Sequence, residues 1–432
     1  MKKYSFSSLS KEKFAELLKR PVIDYATIFS TVQPIIDAVR TDGDNAVKKF
    51  TLQFDNVSLQ SLMVNVRPVE QIELDPTIKS AFETAYRNIS TFHKAQLPNA
   101  LTVETMPGVV CQRLPRPIER VGLYIPGGSA VLPSSVLMLG VPAQLAGCRQ
   151  IILATPPNSA GKVSPEVEFA AALCGIDKIF LAGGAQAVAA MAYGTESVPK
   201  VDKILGPGNQ YVTAAKMMLQ NSDAMIAIDM PAGPSEVLVV ANETAIPGYV
   251  AADLLSQAEH GPDSQVVLVT LPGFNLTELE DALTEQMASL PRSEIAQKAL
   301  ENSFILECEH ISEAINFLNN YAPEHLILAV SDSQDIVSQV RNAGSVFLGN
   351  WTPESVGDYA SGTNHTLPTY GFARMYSGVS VDSFLRQMTV QQLTPDGLSL
   401  LGPAVEIMAR SESLEAHARA VTIRLNDLQT NE

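Results

Sequence analysis

The sequence predicts an α/β protein built from two Rossmann-like units, with short helical segments at both ends of the chain. Short apolar runs that end in or just before Gly or Pro alternate with helical stretches from Val121 onward, and the alternation starts again after residue 234. Strands that alternate with helices favour parallel sheets with right-handed crossovers. The Pro- and Gly-rich stretch at 229–234 is therefore expected to connect the units, and a cleft between the two sheets is the expected place for a ligand.

The first hundred residues are expected to be mainly helical. Asp75 and Pro76 are typical of a helix cap and a first helical position. From there to Gln96, helix-like spacing is shown by the apolar residues Ile78, Phe82, Tyr86 and Ile89. Shorter strand-like pieces follow around Val103 and at 109–114.

The elements of the two units follow from apolar runs and from helical spacing. The strands of the first unit are expected at 121–125, 150–155, 177–183 and 200–205, with helices that include 165–173 and 186–193. The strands of the second unit are expected at 235–241, 265–271, 303–307, 326–331 and 345–349. The helices of the second unit are expected at 249–260, 276–290, 312–321 and 333–343.

The last segment of the chain carries a different pattern. Strand signals stop after about Val379, and residues 397–426 are expected to form two short helices. One apolar face of the second helix carries Leu414, Ala418, Val421 and Leu425. A helical appendix this short is not stable alone, so it is expected to pack on its own body or on another subunit.

Composition and charge exclude several classes of protein. Asp and Glu outnumber Lys and Arg by 46 to 30, giving a formal charge of −16, whereas nucleic-acid binding needs clustered positive charge. The most apolar stretch, 136–148, is broken by Gly140 and Pro142 and is too short to span a bilayer. Two lysines near the N-terminus have no apolar stretch behind them, so no secretory signal is predicted. We expect a cytoplasmic protein with no nucleic-acid or membrane partner.

The four cysteines, at positions 111, 148, 174 and 308, lie far apart and form no CxxC pair. This spacing excludes a cysteine-rich zinc site, and disulfides are not expected in a reducing compartment. Cys148 and Cys174 lie among Ala, Gly and Leu, so they are expected to be small buried hydrophobic side chains.

Gln257 and His260 are the first candidates for chemistry. They lie three residues apart near the end of a predicted helix, so both side chains are expected on one face, and Gly261 and Pro262 end the helix. The pair suits a metal ion, and a surface histidine beside a helix cap is the alternative. The HExxH pattern of common metallopeptidases is absent.

Further polar positions each allow two interpretations. Glu324 and His325, between a helix and a strand, suit either proton transfer or a solvated turn. Asp358 lies in a polar, glycine-rich stretch after a strand, and it suits either a ligand contact or a turn that bonds nearby amides. His417 lies on the tail helix after Glu412, where an isolated histidine is more often structural.

Two glycine-rich turns suit a nucleotide. The turns at 183–186 (GGAQ) and 206–209 (GPGN) each follow a strand and open a helix, where backbone amides favour phosphate. Neither turn matches GxGxxG, and tight strand-to-helix turns also need glycine for backbone reasons.

Taken together, these segments resemble the histidinol dehydrogenase family over essentially the whole chain. The resemblance rests on ordered strings of unusual composition, namely VGLYIPGGSA, GGAQA, GTESVPKVDKI, GPGN, AIDMPAGPSEVL, DLLSQAEHGPDSQV, PEHL, AGSVFLG, GDYASGTNHTLPTYG and AHARAVTIR. Agreement of this length and order is very improbable by chance. Because the family's double α/β architecture resembles that of aldehyde dehydrogenases, the resemblance implies an aldehyde-dehydrogenase-like arrangement here.

The resemblance implies a site for one Zn²⁺ per subunit and for NAD. The implied zinc ligands are Gln257, His260, Asp358 and His417. The implied substrate contacts are Ser235, Gln257, His260, His325, Asp358, Glu412 and His417, with Glu415 as the alternative to Glu412. The implied cofactor contacts are Tyr124, Gln186 and Asn209, and the implied proton-handling pair is Glu324 and His325.

The implied reaction oxidises histidinol to histidine in two hydride transfers to NAD. Zinc has no redox role, accepts nitrogen and oxygen ligands, and in the family grips the imidazole and amino nitrogens of the substrate. His325 is expected to take the alcohol proton. Glu324, working with His325, is expected to activate water for the aldehyde, and no cysteine is needed.

The resemblance also implies an intertwined homodimer in which the tail helix reaches the neighbouring active site, so that His417 and Glu412 act in trans. The expected segments begin with an N-terminal helical appendage at 1–21 and end with a helical dimerisation tail at 379–432. Between them, a first α/β domain at 22–122 with 235–378 is expected to hold most metal and substrate residues. A second α/β domain, on the NAD side, is expected at 123–234.

Three other classes differ from this interpretation in testable ways. An aldehyde dehydrogenase with a cysteine nucleophile needs a reactive thiol in the cleft, and no cysteine lies in a polar, loop-like motif. A zinc hydrolase with the same ligands would not use NAD. A two-lobed binding protein would bind its ligand without turnover.

Overall fold

The computed structural model describes residues 1–20, 25–127, 132–230 and 233–430. The chain divides into two compact units, a larger one of Met1–Gln96 with Ile118–Phe384 and a smaller one of Leu97–Pro117 with Leu385–Glu432. Part of the expected connection at 229–234 and the expected boundary at residues 21 and 22 lie outside the described residues.

The strands of the described residues are β1 (Lys2–Ser5), β2 (Met63–Asn65), β3 (Leu101–Met106), β4 (Val109–Pro117), β5 (Arg120–Tyr124), β6 (Gln150–Thr155), β7 (Lys178–Leu181), β8 (Lys203–Leu205), β9 (Ala227–Ile228), β10 (Glu236–Ala241), β11 (Gln265–Thr270), β12 (Phe304–Glu307), β13 (His325–Ala329), β14 (Ser345–Leu348) and β15 (Leu385–Leu393).

The α-helices of the described residues are α1 (Lys11–Leu17), α2 (Tyr25–Asp55), α3 (Pro76–Lys94), α4 (Pro133–Ala146), α5 (Pro165–Leu173), α6 (Gly184–Tyr193), α7 (Gln210–Gln220), α8 (Pro247–Ala258), α9 (Leu276–Ala288), α10 (Ser293–Glu301), α11 (Ile311–Tyr321), α12 (Ser333–Val337), α13 (Glu354–Tyr359), α14 (Pro395–Ser411) and α15 (Glu415–Thr430). None of the helices within these ranges is long and apolar enough to cross a membrane.

The larger unit contains two six-stranded sheets. The first sheet has the order β1-β12-β11-β10-β13-β14, and its strand pairs are parallel. The second sheet has the order β2-β7-β6-β5-β8-β9; β2 runs antiparallel to β7, and the other pairs are parallel. These two sheets, both in the larger unit, confirm the predicted α/β class with two Rossmann-like parts.

Both faces of the first sheet are covered, which explains why its strands are nearly continuous apolar runs. Along β10, Val237 and Val239 lie in a core that also contains residues of α8, α9 and α10. Leu238 and Val240 point to the other face, into a core that contains residues of α11. The side-chain alternation of one strand therefore supplies both cores.

Helices α2 and α3 pack on helices of the second sheet. Helix α3 begins as predicted, since Pro76 is its first residue and the Asp75 side chain accepts a hydrogen bond from the Thr77 N–H at 2.7 Å. Helix α2 bends at Gly43, whose φ of 52° is a left-handed conformation. α2 contacts α6 and α7, and α3 contacts α4 and α5.

The N-terminal segment differs from the helical appendage expected at 1–21. It begins with β1, which pairs with β12 so that Lys2 lies opposite Phe304, and only then forms α1. The short segment KKYS carries no apolar run. Its strand conformation therefore depends on pairing with β12, which local pattern does not reveal.

The pairing of β2 also differs from the expected grouping of 22–122 with 235–378. β2 pairs with β7, and β5, which begins at Arg120, lies at the centre of the same second sheet. An amphipathic helix pattern indicates that a face is buried, but it does not indicate which sheet buries it. The grouping of α2 and α3 could not be read from their sequences for this reason.

The smaller unit contains a three-stranded antiparallel sheet, β15-β4-β3, and the helices α14 and α15. The expectation that strands stop after Val379 was wrong, because β15 pairs with β4 over nine residues. The two tail helices are confirmed and pack together, with Gly402 of α14 close to Val421 and Leu425 of α15. On the predicted apolar face Ala418 is buried, whereas Leu414 is exposed.

Candidate active site

A cavity of about 780 Å³ in the larger unit is lined by residues from both sheets. The segments next to the first sheet contribute Ser235, His260, Glu324, His325 and Asp358. The segments next to the second sheet contribute the turn at 206–210 and Asp229. Residues that are far apart in sequence are thus brought to one cleft, at the place expected from the fold class.

His325 is the first residue of β13, and its ring is buried at the wall of the cavity. Its Nδ1 atom lies 3.3 Å from the Glu236 carbonyl oxygen, and 3.7 and 3.9 Å from carboxylate oxygens of Glu324 and Glu354. Its Nε2 atom lies 3.2 Å from Oδ1 of Asp358. Burial alone lowers the pKa of His325, but the three surrounding carboxylates outweigh burial and raise this pKa well above its ordinary value.

Glu324 lies immediately before β13 and is 5% exposed. One oxygen, Oε2, accepts a hydrogen bond from the Glu236 N–H at 2.9 Å. Burial raises the pKa of Glu324 to about 8, although the neighbouring His325 acts in the opposite direction. The Glu324 carboxyl group therefore exchanges its proton nearer to neutral pH than an exposed glutamate does.

Asp358 lies on α13 and not in the loop that the sequence analysis expected. The helix begins at Glu354, directly after Pro353, and places Glu354 and Asp358 four residues apart on one face. Burial alone raises the pKa of Asp358, but the proximity of His325 outweighs it and the pKa is lowered. The Asp358 carbonyl oxygen lies 2.8 Å from Nδ1 of His365, another residue of the cavity wall.

Glu354 is the residue of this cluster that the sequence analysis missed. Its side chain is buried, burial raises its pKa, and its Oε2 atom has no hydrogen-bond partner among the described residues. His260, Glu354 and Asp358 each offer one ligand atom, and these atoms lie within 4.8 Å of one another. The sequence signal that could have identified Glu354 is its spacing of four residues from Asp358 in the short segment ESVGDY.

Gln257 and His260 differ in their surroundings, although they were expected on one helix face. Helix α8 ends at Ala258, so Gln257 lies in its last turn and His260 lies two residues beyond it. His260 is exposed and lines the cavity. Gln257 is fully buried, and neither atom of its amide has a hydrogen-bond partner among the described residues. A buried amide without partners is costly, so this amide suits contact with a ligand.

The three expected cofactor residues lie near the carboxyl ends of strands of the second sheet. Tyr124 ends β5, and its hydroxyl accepts a hydrogen bond from the Gly184 N–H at 2.9 Å. Gln186 lies in the first turn of α6, buried, with no partner for Oε1 among the described residues. Asn209 lines the cavity and caps α7, since its Oδ1 accepts from two backbone amides at 3.0 and 3.1 Å.

Glu412 and His417 belong to the smaller unit. Glu412 follows the last residue of α14, His417 lies in the first turn of α15, and both residues are exposed. Glu415 is the first residue of α15, with a carboxylate oxygen 3.5 Å from Nε of Arg410. The participation of these tail residues in an active site stays a prediction.

None of the four cysteines, all of which the structure describes, lines the cavity. Burial raises the pKa of Cys148 and of Cys308 to about 12, and it raises the pKa of Cys174 as well. A thiol that stays protonated is a poor nucleophile. The arrangement therefore disfavours a cysteine-based mechanism.

The fold and the site define an α/β enzyme whose polar cluster of histidines and carboxylates lies in a cleft lined from two sheets. The family model described as histidinol dehydrogenase matches residues 18–425, and the chain belongs to the histidinol dehydrogenase family. It is therefore an oxidoreductase, and the predicted family and enzyme class are confirmed.

Several relatives match the whole chain. The chloroplastic histidinol dehydrogenase of Arabidopsis thaliana is 58% identical, over 100% of this chain and 93% of its own length. The histidinol dehydrogenase of Vibrio cholerae is 53% identical, over 99% of each chain. The crystal structure of histidinol dehydrogenase from Elizabethkingia anophelis superposes with a TM-score of 0.95 at 47% identity and 99% coverage of both chains.

Proposed function

We propose that this enzyme oxidises L-histidinol through L-histidinaldehyde to L-histidine, with NAD as the hydride acceptor and one Zn²⁺ per subunit. The observation that carries the proposal is the position of the Glu324–His325 pair beside a cluster of potential metal ligands in one cavity. Membership of the histidinol dehydrogenase family supports the choice of substrate.

The side chains at the cavity fit a zinc ion. The nitrogen and oxygen ligands that zinc prefers are offered by His260 and Asp358, and the unpartnered amide of Gln257 lies in the helix turn before His260. We propose Gln257, His260 and Asp358 as ligands, with His417 of a second copy as the fourth. Bound zinc would supply a Lewis acid that orients the nitrogen atoms of the substrate.

His325 is the proposed base for the alcohol proton. A proton on Nδ1 that donates to the Glu236 carbonyl oxygen leaves Nε2 as the atom that takes the substrate proton. The carboxylates around the ring raise the pKa of His325, which makes its unprotonated form a stronger base. Burial of the ring keeps bulk water away from the proton that is transferred.

Glu324 is proposed to act in the second half of the reaction. The aldehyde must gain water before it can lose a second hydride, and a carboxyl group next to His325 can move the proton of that water. Its Oε2 is held by the Glu236 N–H, which fixes the direction of the carboxyl group. A pKa raised by burial to about 8 places the proton exchange of Glu324 near neutral pH.

The second sheet is proposed to bind NAD through Tyr124, Gln186 and Asn209. The unpartnered Oε1 of buried Gln186 supports a polar contact there. Ser235 lines the cavity and is proposed as a substrate contact. Glu412 and His417 are proposed to reach the site of a second copy in an intertwined homodimer.

The test of the reaction is a spectrophotometric assay with histidinol and NAD. We expect two NADH for each histidinol consumed, loss of activity on chelation, and recovery on addition of Zn²⁺. Histidinol consumption without NADH would favour hydrolysis, and binding without turnover would favour a binding protein. Either result would refute the proposed reaction.

The test of the shared site mixes His260→Ala chains with His417→Ala chains. A heterodimer restores one intact site if His417 acts in trans, so we expect the mixture to recover activity that neither variant has alone. No recovery in a confirmed heterodimer would refute sharing.

A further inference from the structure

Arg20 and Glu236 form a buried ion pair behind the candidate active site. The guanidinium donates two parallel hydrogen bonds, from Nε to Oε2 and from Nη2 to Oε1 of Glu236, each 2.8 Å long. The exposed fraction of the side chain is 5% for Arg20 and 1% for Glu236. Neither residue is among those that line the cavity, so the pair is not a direct contact for a ligand bound there.

Arg20 also holds the end of α11. Its Nη2 atom donates to the Tyr321 carbonyl oxygen at 2.8 Å, and its guanidinium carbon lies 3.5 Å from the centroid of the Tyr321 ring. A cation is favourable at this carboxyl end of a helix. Because only two residues separate Tyr321 from Glu324, Arg20 fixes one end of the short connection that leads to Glu324 and His325.

The backbone of Glu236 contacts both members of the proton-handling pair. Its N–H donates to Oε2 of Glu324 at 2.9 Å, and its carbonyl oxygen lies 3.3 Å from Nδ1 of His325. Glu236 is the first residue of β10, and the next residue, Val237, lies opposite His325 in the neighbouring strand. A displacement of Glu236 therefore changes both contacts at once.

We propose that Arg20 and Glu236 are positioning residues for this reaction. The two-point ion pair fixes Glu236, and the N–H and carbonyl of Glu236 fix the Glu324 carboxyl group and the His325 ring. At the same time Arg20 fixes Tyr321, so the connection at 321–325 is held from both sides. This inference rests on the proposed roles of Glu324 and His325.

Stability alone does not explain such a pair. A buried ion pair is often no more stabilising than apolar side chains of similar volume, whereas removal of one partner leaves an uncompensated buried charge. Parallel hydrogen bonds from a planar guanidinium do fix orientation. Replacement of both residues together therefore tests position while it avoids the unpaired charge.

The test compares two double variants. Arg20→Met/Glu236→Met removes the pair, and Arg67→Met/Glu168→Met is the control for loss of a two-point pair, here a more exposed one, with 50% of the Arg67 side chain and 8% of the Glu168 side chain exposed. Arg67 and Glu168 also form a two-point pair, at 2.9 and 2.7 Å, and neither of them lines the cavity.

In the first double variant we expect kcat to fall by about 100-fold, because a misplacement of about 1 Å at a reacting group has an effect of this size. The KM values for histidinol and NAD should change by less than about threefold, since transition-state contacts and not uniform binding are affected. The zinc content per chain should be unchanged. The control variant should keep its kcat within about twofold of the wild type.

A second readout does not depend on activity. Hydrogen exchange of the segment 321–328 should be faster in Arg20→Met/Glu236→Met and unchanged in the control. A folded, zinc-loaded first variant with kcat within about threefold of the wild type, or with unchanged exchange at 321–328, would overturn the inference. Wild-type enzyme that forms no NADH would refute the proposed reaction instead, and hydrogen exchange would still decide the structural role of the pair.

If the first double variant does not fold, Arg20→Lys replaces it. Lysine keeps the charge but lacks the planar fork and the stacking on Tyr321. We expect an intermediate loss of kcat with unchanged KM values. A kcat equal to that of the wild type would contradict the proposal.

Discussion

The two sheets present their polar residues to the cleft from opposite strand ends. In the first sheet, Ser235 directly precedes β10 and His325 is the first residue of β13, and both line the cavity. In the second sheet, the turn at 206–209, which includes Asn209, follows β8 and lines the cavity. Ligands of parallel α/β sheets usually bind at the carboxyl ends of strands, so the second sheet follows that rule and the first departs from it.

Each side contains a buried ion pair, but the partners come from different parts of the chain. In the second sheet Lys216 pairs with Asp229, and both bind one glycine: the Gly206 N–H donates to Asp229 at 2.7 Å and its carbonyl accepts from Lys216 at 2.9 Å. These residues come from one short stretch of chain. Arg20 and Glu236, in contrast, are 216 positions apart. The proton-handling side therefore depends on a distant contact, and the proposed cofactor side on a local one.

The largest effect is expected from loss of the imidazole on the first-sheet side. His325→Asn should reduce kcat for both half-reactions by about 10²- to 10⁴-fold, the range for removal of a general base. Separate assays with histidinol and with histidinaldehyde would measure this loss. Retention of more than about a tenth of the activity in either assay would contradict the role of His325 as the common base.

A smaller and selective effect is expected from Glu324→Gln. Oxidation of the aldehyde should fall by about 100-fold, because that step needs activated water, and oxidation of the alcohol should fall much less. The same two assays provide the comparison, with His325→Asn as the reference for a non-selective loss. Equal losses in both half-reactions would show that the two adjacent residues do not divide the work as proposed.

On the second-sheet side, Lys216→Met/Asp229→Asn should affect the cofactor. Without its charge-assisted hydrogen bonds the turn at 206–209 is less fixed, and we expect the KM for NAD to rise by about tenfold with little change in the KM for histidinol. Initial-rate kinetics with each substrate varied would measure both values. A rise in the KM for histidinol alone would contradict the proposal that NAD binds on the second-sheet side.

The control for this variant is Arg120→Met/Asp202→Asn. Arg120 and Asp202 also form a two-point pair, at 3.0 and 2.6 Å, at the amino ends of strands in the same second sheet. Because this pair is partly exposed and does not line the cavity, its removal should leave the KM for NAD unchanged.

The smallest effect concerns stability. Burial raises the pKa of Glu324 to about 8 from an ordinary value of 4.5, so between these values the folded chain keeps a proton that the unfolded chain has lost. The stability of the wild type therefore falls as the pH rises through this window. Glu324→Gln lacks this dependence, and its free energy of unfolding relative to the wild type should increase by roughly 1–3 kcal/mol from pH 5 to pH 8.

Denaturant unfolding of the metal-free chains at several pH values would measure this difference. Carboxyl groups outside the cluster around His325 are common to both chains and cancel in the comparison. A difference that does not change with pH would contradict the protonated state of Glu324.

Much of the fold could be predicted because its strands are buried on both sides. The runs SEVLVVA and QVVLVTL, for example, correspond to β10 and β11. The strands β1 and β15 could not be predicted in the same way, since KKYS and LRQMTVQQL carry little apolar pattern and are strands only through pairing with β12 and β4. Local pattern identifies strands that build a core, and it fails for strands at an edge or on a surface.

The residues of the candidate site likewise divide into those that the sequence identified and those that it did not. The residues that carry the family resemblance include His325 and Asp358, and the structure brings these two within 3.2 Å of each other. Glu354 and Arg20 were not identified, because a buried glutamate and a surface one have the same local sequence properties. Their importance follows from burial and from contacts with residues far along the chain, which spacing in the sequence does not encode.

The distant origin of Arg20 has a consequence for biosynthesis of the chain. Strand β1 pairs with β12, and Arg20 contacts Glu236 and Tyr321. This segment therefore cannot reach its final place until more than three hundred residues have left the ribosome. At about 5–20 residues per second this delay is roughly 15–60 s. Residues 2–5 are synthesised long before β12 and stay without their partner strand until β12 is available.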